Sequence, residues 1–283
     1  MKKNLYLTIL AIVTVICVIV GSVYHITGWF GFGSHSILGR LFSVVTGYDN
    51  DSKRDRSHVT YSEDLDAFED IEIDTSVMDI TINTGNSYHL EYDCVAFLKP
   101  EMSVKDNIFK LEQPSVRHLG SNNKCKMTLT VPSGTVLDNA DILSNVGDIK
   151  IYNTEIRDIT VEADVGNISL ESCTFATSDV EGDVGNINII TSNIGNSNIE
   201  TNTGNIVIDS CEFYDIDLYN DIGDVTLNTN ADLSNYEIDL STDVGSIKYK
   251  GENKKREYYQ SASGTSPHYS IEIETDVGNI VFN

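Results

Sequence analysis

From about Ala67 onward, apolar and polar residues alternate in short runs. "FEDIEIDTSVMDITIN", "NIFKLEQ" and "KCKMTLTVP" each read as a strand with one face turned inward. No later stretch carries a capped helical period, so this part of the chain is expected to be nearly all β. The alternation then becomes a repeat. "VEADVGNISL" (161–170) returns as "VEGDVGNINI", "IETNTGNIVI", "LYNDIGDVTL", "LSTDVGSIKY" and "IETDVGNIVF". Gly147, Gly166, Gly185, Gly204 and Gly223 follow one another at 19-residue intervals; Gly245 comes 22 residues later and Gly278 another 33. A fixed period near 20 residues marks a solenoid, whose coils bury by stacking a face that none could bury alone.

Aligning the repeats on the glycine produces columns. Five residues before it stand Ile142, Val161, Val180, Ile199 and Leu218; one before it, Val146, Val165, Val184, Thr203 and Ile222. Two after it stand Ile149, Ile168, Ile187, Ile206 and Val225; four after it, Ile151, Leu170, Ile189, Ile208 and Leu227. These columns predict strands whose inward residues pile onto like residues at about 4.8 Å per coil. The column before the glycine is counted with the apolar set. The glycine is expected to supply a positive φ in a type II turn, with the Asp or Asn two residues before it bonding the turn's own amides. A β-meander of hairpins is the competing topology, but it gives no reason for identical residues in register every 19 positions.

The two ends resemble each other. "IEIDTSVMDITIN" (71–83) and "IEIETDVGNIVFN" (271–283) agree at seven of thirteen positions, with Met78 where the glycine should be. The region therefore is expected to open with a degenerate coil and then break into antiparallel strands up to Pro132, protecting the sheet edge. The predicted fold is an all-β parallel solenoid of 19-residue coils with an antiparallel N-terminal cap region, preceded by one transmembrane helix. Its divisions are 1–28 (membrane segment), 29–66 (juxtamembrane segment and linker), 67–141 (irregular, antiparallel β) and 142–283 (solenoid, with an insertion at 249–270).

The "FEDIEI" opening, the "TLTVPSGTVL" strand before the repeats and the repeated "[D/N]-V-G-[N/D]-I" turns resemble the bacterial "putative-adhesin" β-solenoid family over roughly residues 67–283. The resemblance implies a β-solenoid, often carried by membrane-anchored envelope proteins, of largely unknown function. It brings no catalytic residues with it, and a fold does not settle a function.

The N-terminus adds a compartment. Lys2 and Lys3 precede "LYLTILAIVTVICVIVGSV", long enough to span a bilayer, and the lysines favour a cytoplasmic N-terminus with the main domain outside. A cleaved signal peptide is the rival reading, with "VGS" at 20–22 as its cleavage site. Residues 28–47, aromatic and Gly-rich, suit either a membrane interface or a flexible linker. The formal charge of −24 argues against nucleic acid and anionic lipid as partners of the body. That charge leaves open a cation, a basic partner or simple solubility; the partners expected are the membrane itself through the helix, a wall polymer, a glycan or another envelope protein.

The chemistry is sparse. Between residues 142 and 247 there is no His, and Lys150 and Arg157 face twenty Asp and Glu. That stretch cannot house Ser–His–Asp or Cys–His catalysis. A glycosidase needs two carboxylates, but nothing singles out a pair. No catalytic or cofactor-binding residue is assigned. Asp164, Asp183, Asp221, Asp243 and Asp276 share the turn column and could ligate a cation; bonding to their own turns is the simpler role. The cysteines lack metal-site spacing. Cys173 and Cys211 lie two coils apart, beyond disulfide reach, and read as small buried corner residues; Cys94 and Cys125 could pair. The insertion carries Lys254, Lys255, Arg256, Tyr258 and Tyr259, a candidate binding loop for glycan or anionic polymer, with an ordinary solvated loop as the alternative. The expected function is a non-catalytic, adhesin-like binding or structural protein of the cell envelope. The alternatives are an envelope-stress accessory that contacts membrane proteins and a polysaccharide-acting enzyme.

Overall fold

The computed structural model describes residues 55–115, 125–264 and 268–283. The membrane segment expected at 1–28 lies outside the described residues. Among the described residues, no helix is long and apolar enough to cross a membrane.

Each repeat builds one coil from a long strand, a glycine corner, a short strand and a second corner. The long strands include Glu155–Val165 and Thr174–Val184; the short ones include Ile168–Glu171 and Ile187–Ile190. Equivalent strands of neighbouring coils pair parallel in register: Val161 opposes Val180, and Ile168 opposes Ile187. All long strands fall in one eleven-stranded sheet and all short strands in a twelve-stranded one. The core lies between the two sheets. Ile149, Ile168, Ile187, Ile206, Val225, Ile280 and Ile247 form one fully buried column across it. Burying an aliphatic side chain is worth about 1.5–3 kcal/mol, so repetition of this column supplies much of the stability.

The N-terminal region joins the same two sheets. Asp70–Thr75 and Asp79–Gly85 form a coil that packs directly against the Gly147 coil, with Ile73 opposite Ile142 and Ile80 opposite Ile149. Met78 does occupy the glycine's station, stacked beneath Gly147. The strands that follow this first coil, up to Pro132, are nevertheless not all antiparallel, in contrast to the expectation. Ile108–Glu112 and Lys126–Pro132 run parallel to that first coil on its other side. Antiparallel pairing is confined to the outermost strands, His58–Asp64, His89–Val95 and Glu101–Lys105.

Coil order at the far end is exchanged. The chain passes the Gly223 coil, builds the Gly245 coil one place further out, and returns to insert Tyr269–Val277 and Ile280–Phe282 between them. The longer gaps before Gly245 and Gly278 provide the chain for this excursion. Residues of the insertion form two edge strands, Glu252–Lys254 and Glu257–Gln260, each antiparallel to one of the sheets. Both ends of both sheets thus finish in antiparallel strands, an arrangement that blunts edge-to-edge pairing with other chains.

Two features of the corner differ from the turn that the repeat suggests. First, the glycines are required mainly by their neighbours. A Cβ on Gly185 would stand 1.8 Å from the carbonyl oxygen of Gly166, and one on Gly204 would stand 1.8 Å from that of Gly185. Their φ angles, 157° and 156°, are also ones that side chains disfavour. Second, the corner amides are bonded across coils by the residue after the glycine. The Asn167 N–H donates to Asp148, Asn186 to Asn167, Asn205 to Asn186, Asp224 to Asn205, Asn279 to Asp224 and Ser246 to Asn279, at 2.8–3.2 Å. The ladder begins at Asp79, which accepts from Asp148. At the second corner Asn153, Ser172, Thr191 and Ser210 repeat a left-handed conformation, φ 50–57°.

Candidate functional site

The long-strand sheet carries the chemically richest surface. The three eleven-residue strands, Val136–Val146, Glu155–Val165 and Thr174–Val184, each skip one residue of their pairing, at Asp138, Arg157 and Ala176, so that two successive residues escape burial before alternation resumes. The skipped station thus recurs on three successive coils. Beside it runs an open trough of about 490 Å³, built from two columns. One contains Asn139, Asp158, Thr177, Asn196 and Asp215; the other contains Asp141, Thr160, Asp179, Asn198 and Asp217. Along the trough Asn198 donates to Asp179 at 3.0 Å and Thr177 donates to Asp158. At one end Asp215 accepts from the amide and hydroxyl of Ser270. Tyr214, beside it in sequence, is exposed and packs against Tyr269, the rings tilted by 37° with centroids 5.2 Å apart.

Further along the same strands lies a plate of stacked carboxylates. Glu162, Glu181 and Glu200 stand directly opposite one another, and Asp164, Asp183, Asp221, Asp276 and Asp243 occupy the column two residues on. Burial, then the charges of Glu181, Asp164, Asp183 and Asp141, push Glu162 up to about 6. Burial likewise raises Glu181, Asp183, Glu200, Asp221, Glu274 and Asp276. In this column Asn202 donates to Asp183 at 2.7 Å, and the Tyr219 hydroxyl lowers Asp221 against the burial effect. These acids therefore face outward along the sheet, while the corner amides are served by the ladder described above. Among the described residues, no group of three or more His, Cys, Asp or Glu is arranged to hold a metal ion.

The insertion residues lie at the far end. Lys254 bonds Glu252 at 2.8 Å and sits 5.2 Å from the Tyr258 ring centre. Arg256 donates to the Asp243 carbonyl, and Tyr258 packs on Tyr249 with centroids 5.0 Å apart. Lys255 and Tyr259 are exposed. The five are thus divided between edge-strand contacts and solvent. Cys173 and Cys211 are free and buried at the second corner, where each thiol lies 3.3–3.5 Å from backbone carbonyls. Cys94 and Cys125 are also free and buried. They share a thiol–thiol hydrogen bond, which lowers Cys125 and, together with burial, raises Cys94.

One arrangement escaped the sequence because its members lie on different strands. His89 Nδ1 is 2.7 Å from Asp64 and Nε2 is 3.0 Å from the Ser62 hydroxyl. The order matches that of a nucleophilic serine, but its setting does not. The Asp64 side chain is 77% exposed, and the Glu91 carboxylate lies 3.5 Å from the same Nε2, where it would repel a developing oxyanion. A fluorophosphonate, which derivatises activated serines, is expected to leave Ser62 unmodified. Stoichiometric labelling detected by mass spectrometry would contradict that reading.

The fold and its outer face define a two-sheeted β-solenoid with capped ends. The chain belongs to the Toastrack DUF4097 family, which matches residues 68–282. Among solved structures it is similar to a "putative cell adhesion protein" of Clostridium sporogenes, at 18% identity and a TM-score of 0.42, covering 80% of this chain and 99% of that one. A "putative adhesin" of Bacteroides fragilis gives 17% identity and a TM-score of 0.43, covering 80% and 97%. A "putative lipid binding protein" of Parabacteroides distasonis gives 10% and 0.30, covering 81% and 98%. No curated protein matches the chain.

Proposed function

We propose that the protein is a membrane-anchored, extracytoplasmic solenoid that binds a hydroxyl-rich polymer of the cell envelope without chemically altering it. The trough carries this reading. Its two columns present carboxylate, amide and hydroxyl groups at a constant spacing across five coils, and an exposed tyrosine stands at one end. Such a row suits a chain of sugars laid along the rod, with hydrogen bonds to the hydroxyls and an aromatic face for stacking. The apolar run at 5–28 supplies the anchor and the two lysines its orientation. The test is a binding screen of the full-length chain against glycans and wall polymers, with and without calcium. Binding is expected to weaken about tenfold or more when Asn198 and Asp179 are both changed to Ala. Undiminished binding by that variant would remove the trough from the mechanism. Appearance of new reducing ends would show an enzyme instead.

A further inference from the structure

The corner residue just before each glycine does not join the core. Val146, Val165, Val184, Ile222, Val277 and Val244 are 41–57% exposed, and with Thr203 they stand in register on seven successive coils. They account for six of the nine large apolar residues exposed among those described. The ridge runs about 29 Å at 4.8 Å per coil. Its exposed apolar area, of order 400 Å², is in the range of the largest contiguous patch on a monomer, which is often functional. The fold does not demand it. Thr203 holds the same station with the same β-branched shape, so a hydroxyl is accepted there and water-facing valine is not needed for the corner.

The border of the ridge restricts what can cover it. Five of the seven residues preceding it are aspartates, Asp164, Asp183, Asp221, Asp276 and Asp243, and Glu162, Glu181, Glu200 and Glu274 stand behind them on the same sheet face. Of the nearby cations, Arg157 is engaged with Asp138 and Lys150 lies 3.9 Å from Asp148, while the Arg256 guanidinium reaches the border at its outer end, on the carbonyl of Asp243. A second copy of the chain fits poorly. It would oppose aspartate to aspartate at a net charge of −24, over about half the 800 Å² per partner of a standard interface.

We infer that the ridge and its aspartate border form a docking surface for a cationic amphipathic helix, apolar side chains on the valines and Lys or Arg on the aspartates. About twenty helical residues span the ridge at 1.5 Å each. The inference does not depend on polymer binding, because the ridge stands at the opposite end of the long strands from the trough.

The probe is a synthetic 21-residue helix of leucine and lysine with its leucines on one face. A scrambled peptide of the same composition and an oligolysine of the same length serve as controls. The full-length chain is expected to bind the amphipathic peptide at least about tenfold more tightly than either control, and more weakly in high salt. The triple substitution Val165→Thr, Val184→Thr, Ile222→Thr keeps the β-branched shape. It should bring binding down to control level while leaving the circular dichroism spectrum and melting temperature unchanged. Equal affinity for all three peptides, or a triple variant that binds as the parent does, overturns the inference. So does a dimer in sedimentation that the triple variant abolishes, since a second copy would then be the occupant.

Discussion

Alanine at position 185 is expected to prevent the solenoid from folding, whereas alanine three residues earlier, at 182, should make it more stable. The added carbon at 185 would meet the Gly166 carbonyl oxygen at 1.8 Å, and backbone cannot retreat there without breaking the register of two sheets at once. The loss should exceed the roughly 5 kcal/mol of a severe core substitution, with the variant recovered insoluble or without a cooperative melt. At Gly182 the nearest atom is the Thr201 hydroxyl oxygen at 3.4 Å, an ordinary contact, and the adjacent coil already carries Ala163 in the same station. Gly182→Ala should therefore gain about 0.4–1 kcal/mol by reducing the freedom of the unfolded chain. Thermal melts of the two variants beside the parent decide the matter. Equal behaviour would mean that coil contact is not what selects glycine at the corner.

Acidification should stabilise the protein, the direction in which relief of its net charge of −24 also acts. Burial raises Glu162, Glu181, Asp183, Glu200, Asp221, Glu274 and Asp276 above their ordinary values, and repulsion from neighbouring carboxylates adds to it at Glu162, Glu181, Glu200, Glu274 and Asp276. A carboxyl whose folded pKa is raised favours the folded state below its unfolded pKa, and that contribution is lost as pH climbs through the folded value. For Glu162 the window runs from its ordinary value near 4.5 to about 6. Asp55, Asp232 and Glu252 are shifted downward and act in the opposite sense, but they are fully exposed and screened. The melting temperature should accordingly be higher near pH 5 than near pH 7.5, by about 5 °C for a domain of this size after allowance for solvent screening. Glu162→Gln with Glu181→Gln and Glu200→Gln should raise the melting temperature at pH 7.5 and flatten its pH dependence. A melting temperature that rises steadily from pH 5 to 7.5 would show the plate to be compensated by cations.

The candidate surface was only partly legible in the chain. The trough residues belong to the 19-residue register, but nothing in their spacing signals the skipped pairing at Arg157 and its equivalents beside the trough. Ser62, His89 and Asp64 meet because the strand holding the first and third pairs with the strand holding the second, an antiparallel neighbourhood without a repeat to reveal it. The insertion, by contrast, was visible as an interruption with its own composition. Its role as edge strands depends on which sheet ends were left open.

The 19-residue period and its apolar columns already specify the coil: its length, the inward positions at Ile142, Ile149, Ile151 and their equivalents, and the parallel stacking that equal periods require. These follow from local geometry, since a strand alternates every two residues and like side chains pack when coils superimpose. The order of coils at the two ends emerges from the three-dimensional packing, where long connections let the chain overshoot and return. That packing also leaves Val146 and its equivalents exposed, because each is the last residue of its strand, immediately before the bend at the glycine. Finally, it showed that the glycine is demanded by the coil beside it, a contact between residues 19 positions apart that conformational preference within one turn cannot express.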